Sequence, residues 1–94
     1  MDDRIQTRHP QGKQGTNIAK GKYEIMKTTI IAVLHNQSLT HTELVEQVTD
    51  KLRATFDGSI GWYLETVKLD LEARRVIERD TTLRPARYRI SQMA

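Results

Sequence analysis

An α+β fold of three helices followed by a two-stranded β-hairpin is what the sequence predicts, on three observations. Apolar residues recur at helical three-or-four spacing in three successive segments between Lys20 and Arg75. A complete capping box, Thr40-His41-Thr42-Glu43, marks the start of the second segment. Beyond Arg75 the period changes from helical to alternating and stays so to Ser91.

Residues 1–17 hold Pro10, Gly12 and Gly15 among Gln, Thr and basic side chains, with only Ile5 to offer a core. They read as a basic N-terminal arm, flexible or wrapped, ahead of a folded domain over 18–94. From Tyr23, apolar side chains at 23, 26, 30, 33 and 34 predict a first helix over about 20–35, closed by the polar break His35-Asn36-Gln37-Ser38. Gln37-Ser38-Leu39 is available as a short extra strand. In the capping box the Thr40 hydroxyl accepts the Glu43 N–H and Glu43 reaches back, while Leu39 and Leu44 are placed to form a hydrophobic staple. The second helix, about 40–54, carries a narrow stripe of Leu44, Val45, Val48 and Leu52 and stops at the turn Phe56-Asp57-Gly58. Ser59 or Asp57 can cap a third helix that runs to about Arg75 with Ile60, Leu64, Val67 and Leu71 on its core face. Val76 to Arg79 and Arg87 to Ser91 then alternate Arg79, Arg87 and Arg89 against Ile77, Tyr88 and Ile90, as two strands joined by a loop with Pro85.

Composition removes several function classes. With 94 residues the chain buries only roughly two thirds of its unfolded surface, enough for one small core and too little for separate cofactor and substrate domains. The absence of cysteine removes disulfides, thiolate zinc sites and thiol nucleophiles, and suggests a reducing, cytoplasmic setting. No apolar run is long enough to span a bilayer, and Met1-Asp2-Asp3-Arg4 does not open a signal peptide.

Catalytic and ligand motifs are also missing. Gly12-Lys13-Gln14-Gly15-Thr16 lacks the glycine spacing of a phosphate loop, and no strand is expected before it. His9, His35 and His41 are not at metal-ligand spacing on one helix. Asp70 and Glu72 point to opposite sides of theirs, so no acid–base pair forms. The expectation is a protein that is not an enzyme and has no metal, cofactor or small-molecule substrate.

Net charge is +3, from 15 Lys plus Arg against 12 Asp plus Glu. Its distribution matters more than its sum. Residues 1–22 carry +3, residues 23–73 carry −4, and residues 74–94 carry +4 with six arginines. Both ends are basic and the middle is acidic.

Three helices followed by a hairpin, with the extra strand before the second helix, resemble a winged-helix domain. Leu71-Glu72-Ala73-Arg74-Arg75-Val76-Ile77-Glu78-Arg79 is similar to the L-E-x-x-G-L-I-x-R passage with which many bacterial winged-helix regulators enter the wing. Arg75 stands where that pattern has Gly, which predicts a helix exit closed without a left-handed cap. His9-Pro10, Gly12-Lys13, Gly15-Thr16 and Gly61-Trp62 through Ala73 are similar to a family of small bacterial winged-helix proteins to which no activity is attached.

The resemblance implies a third helix in the major groove, a wing on backbone or minor groove, and pairing as a homodimer. On the third helix the face away from the core holds Trp62, Glu65, Thr66, Leu69, Glu72 and Ala73, a poor reader because base edges and phosphates call for basic or amide side chains. The nucleic-acid candidates are therefore Arg79, Arg84, Arg87 and Arg89 in the wing and Lys13, Lys20 and Lys22 in the arm, with Thr66 the helix's one suitable donor. Double-stranded DNA is the expected partner. The alternative is a protein-interaction surface, on a second copy or another protein, made by the apolar strip Trp62, Leu69 and Ala73. Arginines on an edge hairpin can also serve only solubility, and the arm can either fold over Trp62 or leave it open.

Overall fold

The computed structural model describes residues 3–91. Its elements run β1 (Arg4–Gln6), β2 (Asn17–Ala19), α1 (Lys20–Leu34), β3 (Leu39–Thr40), α2 (His41–Leu52), α3 (Ile60–Ala73), β4 (Ile77–Asp80) and β5 (Arg87–Ile90). The class is α+β: three helices, a three-stranded antiparallel sheet of order β3-β5-β4, and a separate two-stranded ribbon, β1-β2.

The helices bury the stripes their spacing predicts. On α1 the buried residues are Tyr23, Met26, Ile30, Val33 and Leu34. Leu44, Val48 and Leu52 of α2 meet them, as do Leu64, Val67 and Leu71 of α3. Ile77 and Tyr88 close the core from the sheet, and Val45 and Ile60 pack at its margin.

The capping box forms in both directions. The Glu43 N–H donates to Thr40 Oγ1 at 3.2 Å and the Thr40 N–H donates to Glu43 Oε1 at 2.9 Å. These bonds, the backbone donor first, hold the Glu43 carboxyl below its ordinary value. Leu39 and Leu44 are both buried, as a staple requires. The extra strand sits at 39–40 rather than 37–39, because the Gln37 N–H closes α1 by donating to the Leu34 carbonyl at 3.2 Å. Ser59, not Asp57, caps α3, its hydroxyl accepting the Trp62 N–H at 3.2 Å.

The exit from α3 overturns one expectation. Arg75 does adopt the left-handed conformation, with φ 62°, although it is not glycine. Its N–H donates to the Glu72 carbonyl at 3.1 Å and the Val76 N–H donates to the Leu71 carbonyl at 2.9 Å, the two bonds of a Schellman motif. Val76 is tucked against the core and Ile77 is buried, so the chain must reverse sharply here whatever residue stands at 75. A non-glycine residue held left-handed costs about 1–2 kcal/mol, of which the unfolded-state freedom of glycine would take back up to about 1. Arg75→Gly is therefore expected to stabilise the fold by about 0.5–1 kcal/mol. A thermal melt checks this, and a lower melting temperature in the variant would contradict it.

The arm is structured. β1 and β2 pair antiparallel with Ile5 opposite Ile18, and the loop between them is closed where the Thr7 N–H donates to the Thr16 carbonyl at 2.9 Å. The Thr16 N–H returns to Thr7 Oγ1 at 2.8 Å. Inside the loop, Gly12 N–H donates to the His9 carbonyl at 2.9 Å, making a turn with Pro10 at its second position.

Candidate nucleic-acid interface

Besides the packing of Ile5 and Ile18 on the core, a buried carboxylate ties the arm to the domain. Asp70, on α3, is wholly buried. It accepts the Arg8 backbone N–H at 2.8 Å, the Tyr23 hydroxyl from α1, and Arg74 Nε at 2.9 Å from the next turn of its own helix. Burial first, then the hydrogen bond and charge of Asp70, push the Tyr23 phenol above its ordinary value. One side chain thus ties arm, α1 and α3 together.

So anchored, the loop lies along the C-terminal end of α3. Arg8, His9, Lys13 and Ala73 line a cleft of about 600 Å³. Beyond Pro10, a recess of about 330 Å³ continues between Glu72, Arg75 and Arg79. The two hollows share Pro10 and the last turn of α3, and make one band that runs from the arm to the hairpin. Arg8, Lys13, Arg75 and Arg79 on this band are exposed. Glu72 and Glu78 are its acidic members; one carboxylate oxygen of Glu72, Oε2, is buried without a hydrogen-bond partner, and burial pushes that carboxyl up against the lowering by Lys68 and Arg79.

The hairpin arginines divide into two pairs. Register places Glu78 opposite Arg89 and Asp80 opposite Arg87 on the outer face of the sheet. Arg89 donates to Glu78 Oε2 at 2.9 Å and to Asp80 Oδ2 at 3.4 Å. Arg87 reaches Ser38 Oγ at 3.3 Å and Glu43 Oε1 at 3.5 Å. Both charges are already spent inside the fold. Arg79 and Arg84 are exposed, Arg84 in the β4–β5 loop next to Leu83, which is 46% exposed, and ahead of a cis peptide bond to Pro85.

The remaining candidates are dispersed. Lys20 is exposed at the start of α1 beside Asp3 and Glu24. Lys22 lies 5.2 Å from the Tyr63 ring centre and 4.0 Å from Asp57 Oδ2. Thr66 and Leu69 are half-buried on α3, and Ala73 lies at the cleft beneath the arm. Trp62 is 47% exposed, edge-on to Tyr63 with ring centres 4.9 Å apart. The arm loop therefore reaches Ala73 at one end of the apolar strip while Trp62, at the other, stays open.

A protein-family model described as a family of unknown function, DUF6958, matches residues 4–88, from the first residue of β1 into β5. The chain belongs to the DUF6958 family. The match takes in the arm as well as the helices, so the ribbon, its loop and the Asp70 anchor all fall within the DUF6958 unit. No curated protein and no solved structure matches the chain. The family match brings with it neither a winged-helix assignment nor an activity. Among the described residues no helix is long and apolar enough to cross a membrane, and no group of three or more His, Asp or Glu is placed to hold a metal ion.

Reasoning from sequence assigned no role to Asp70 or Lys68 and treated Arg75 only as a departure from glycine at the helix exit. The first two sit about 80° to either side of the apolar stripe of α3, at the boundary positions of a helix buried on more than half its surface. That placement was the available signal. For Arg75 the signal was the basic pair Arg74-Arg75 at the helix exit, next to a hairpin already known to be basic.

Proposed function

We propose that this DUF6958 chain is a winged-helix module, without catalytic activity, that binds the phosphate backbone of duplex DNA through its arm loop, the exit of α3 and the β4–β5 hairpin. The order α1-β3-α2-α3-β4-β5, with β5 between β3 and β4, supports the winged-helix reading. The observation that carries the function is the cationic band itself. Folding of the arm on Asp70 places Lys13 and Arg8 in line with Arg75 and Arg79, residues that lie more than sixty positions apart in sequence.

A band of this kind gives sequence-independent attraction to phosphates. Base reading by α3 has no support in its surface. Glu65 of that helix is engaged with Lys68 at 3.5 Å, and its other outward positions, Trp62, Thr66, Leu69, Glu72 and Ala73, offer no basic or amide side chain.

Titration of a DNA duplex against the chain at several salt concentrations, followed through Trp62 emission or anisotropy of labelled DNA, tests this. Each phosphate contact adds about 0.9 to the slope of log K against log salt, so Lys13→Gln, Arg75→Gln and Arg79→Gln together should flatten it by about 3. Arg87→Gln or Arg89→Gln should leave the slope unchanged, because those side chains are held by Glu43, Glu78 and Asp80. Absence of binding at low salt overturns the proposal.

The open Trp62, edge-on to Tyr63, which is itself edge-on to Phe56 at 5.2 Å, favours a second reading, a protein partner on the N-terminal half of α3. Retention of a partner by the triple Gln variant and its loss on Trp62→Ala would decide for that reading.

A further inference from the structure

We propose that His41, Lys68 and Tyr88 form a pH-sensing latch, which joins α2, α3 and β5 while His41 is neutral and releases Lys68 when His41 takes up a proton.

Lys68 is 3% exposed, a burial that lysine almost never accepts unless paired. Its nearest partner is an imidazole and not a carboxylate: Nζ lies 2.9 Å from His41 Nδ1. It also donates to the Tyr88 hydroxyl at 3.2 Å and stands over the Tyr88 ring, 4.3 Å from its centre. Glu65 Oε2 is 3.5 Å away and half-exposed.

An ammonium group has three donors and no acceptor. His41 Nδ1 must therefore accept, which requires the neutral ring with its proton on Nε2. That nitrogen faces Glu65 Oε2 at 3.7 Å. Protonation turns Nδ1 into a donor and sets two cations 2.9 Å apart, with no lone pair between them.

The neighbours on each element do not rescue the contact. On α3, Glu65 favours the imidazolium but is shared between His41 and Lys68. Glu72, on the same helix, feels Lys68 and, from β4, Arg79. On α2 and β5, Glu43 is occupied by its cap and by Arg87. His41 sits at the solvent edge of α2 and can swing outward; Lys68, in a closed site, then keeps only Tyr88 and Glu65.

The geometry agrees with the electrostatics. Burial, then the charge of Lys68, hold His41 below its ordinary value of 6.5, against a smaller opposing pull from Glu65. Between the folded value and 6.5 the unfolded chain binds more protons than the folded one, so stability is lost as pH falls through that window.

NMR of the full chain from pH 8 to pH 5, following the His41 ring and the amides of Lys68 and Tyr88, tests the latch. The expected result is a His41 midpoint below 6.5, with the Lys68 and Tyr88 amides shifting at that same midpoint. Lys68→Met should raise the His41 midpoint and silence the shift at Tyr88, whereas Tyr88→Phe, which keeps the amine, should leave the midpoint low. A wild-type midpoint at 6.5 or above, amides that ignore His41, or a midpoint unmoved by Lys68→Met would each overturn the proposal. Should Lys68→Met not fold, co-titration of Tyr88 with His41 in the wild type supports the latch and a silent Tyr88 refutes it.

Discussion

Asp70→Ala is expected to cost about 3–5 kcal/mol, the range for removing one partner of a buried, hydrogen-bonded charge pair. A chain of this size has roughly 5–14 kcal/mol of stability in all, so the change would remove a large part of it. Three groups lose their acceptor at once: the buried Tyr23 hydroxyl, the Arg8 backbone N–H and the Arg74 guanidinium. Arg74 can turn to water, since its side chain is 30% exposed, but Tyr23 cannot without breaking the α1 face of the core. Asp70→Asn keeps the shape and an acceptor oxygen and removes the charge opposite Arg74, so its cost should be about half as large. Urea unfolding followed by Trp62 emission reads both. The midpoint should fall with little change in slope. A loss below about 1 kcal/mol for Asp70→Ala would show that the arm is held by the ribbon alone and that the network adds nothing.

How such a residue escapes a sequence reading has a physical reason. Tyr23, Met26, Ile30, Val33 and Leu34 are legible because one helix repeats a single spacing, and the Thr40–Glu43 box because both partners lie within one turn. The hairpin is legible because alternation and turn residues occur together. Asp70 reads as an ordinary charge on a helix, and what makes it an anchor is Arg8, 62 residues away. The arm strands are three residues each, too short for a period, and their pairing brings together Ile5 and Ile18, neither of which forms a core alone. At Arg75 local preference was read correctly and lost to tertiary demand, since burial of Ile77 and the contact of Val76 fix the direction in which the chain leaves α3. The charge segments foretold where basic residues lie. They did not foretell that Arg87 and Arg89 would be neutralised across the sheet while Arg75 would be left open, because that depends on strand register.

Gly15→Ala separates the position of the arm from its charge. A methyl group at Gly15 would stand 2.6 Å from the Thr7 carbonyl carbon and closer still to its oxygen. The obstructing atoms are backbone, and Thr7 is itself 4% exposed and bonded to both the N–H and the carbonyl of Thr16, so neither side can yield within the closed loop. Relief comes only by opening the loop, at a cost of about 3 kcal/mol, the upper part of the range for forced overpacking. The atoms nearest that methyl all belong to Thr7 in the arm, so the expected variant folds, melts earlier and loses hydrogen-exchange protection over residues 7–16. Gly12→Ala is the control: nothing lies within 4 Å of its added carbon, and its penalty is the left-handed φ of 75°, about 1 kcal/mol. Opening the loop also carries Arg8 and Lys13 away from Arg75 and Arg79 without removing a charge. The salt slope for duplex DNA should then fall by about 1–2, as if those two contacts had been deleted. If Gly15→Ala exposes the loop yet keeps the full slope, the cations act as a diffuse cloud and the arm's seat on Asp70 is no part of the binding surface.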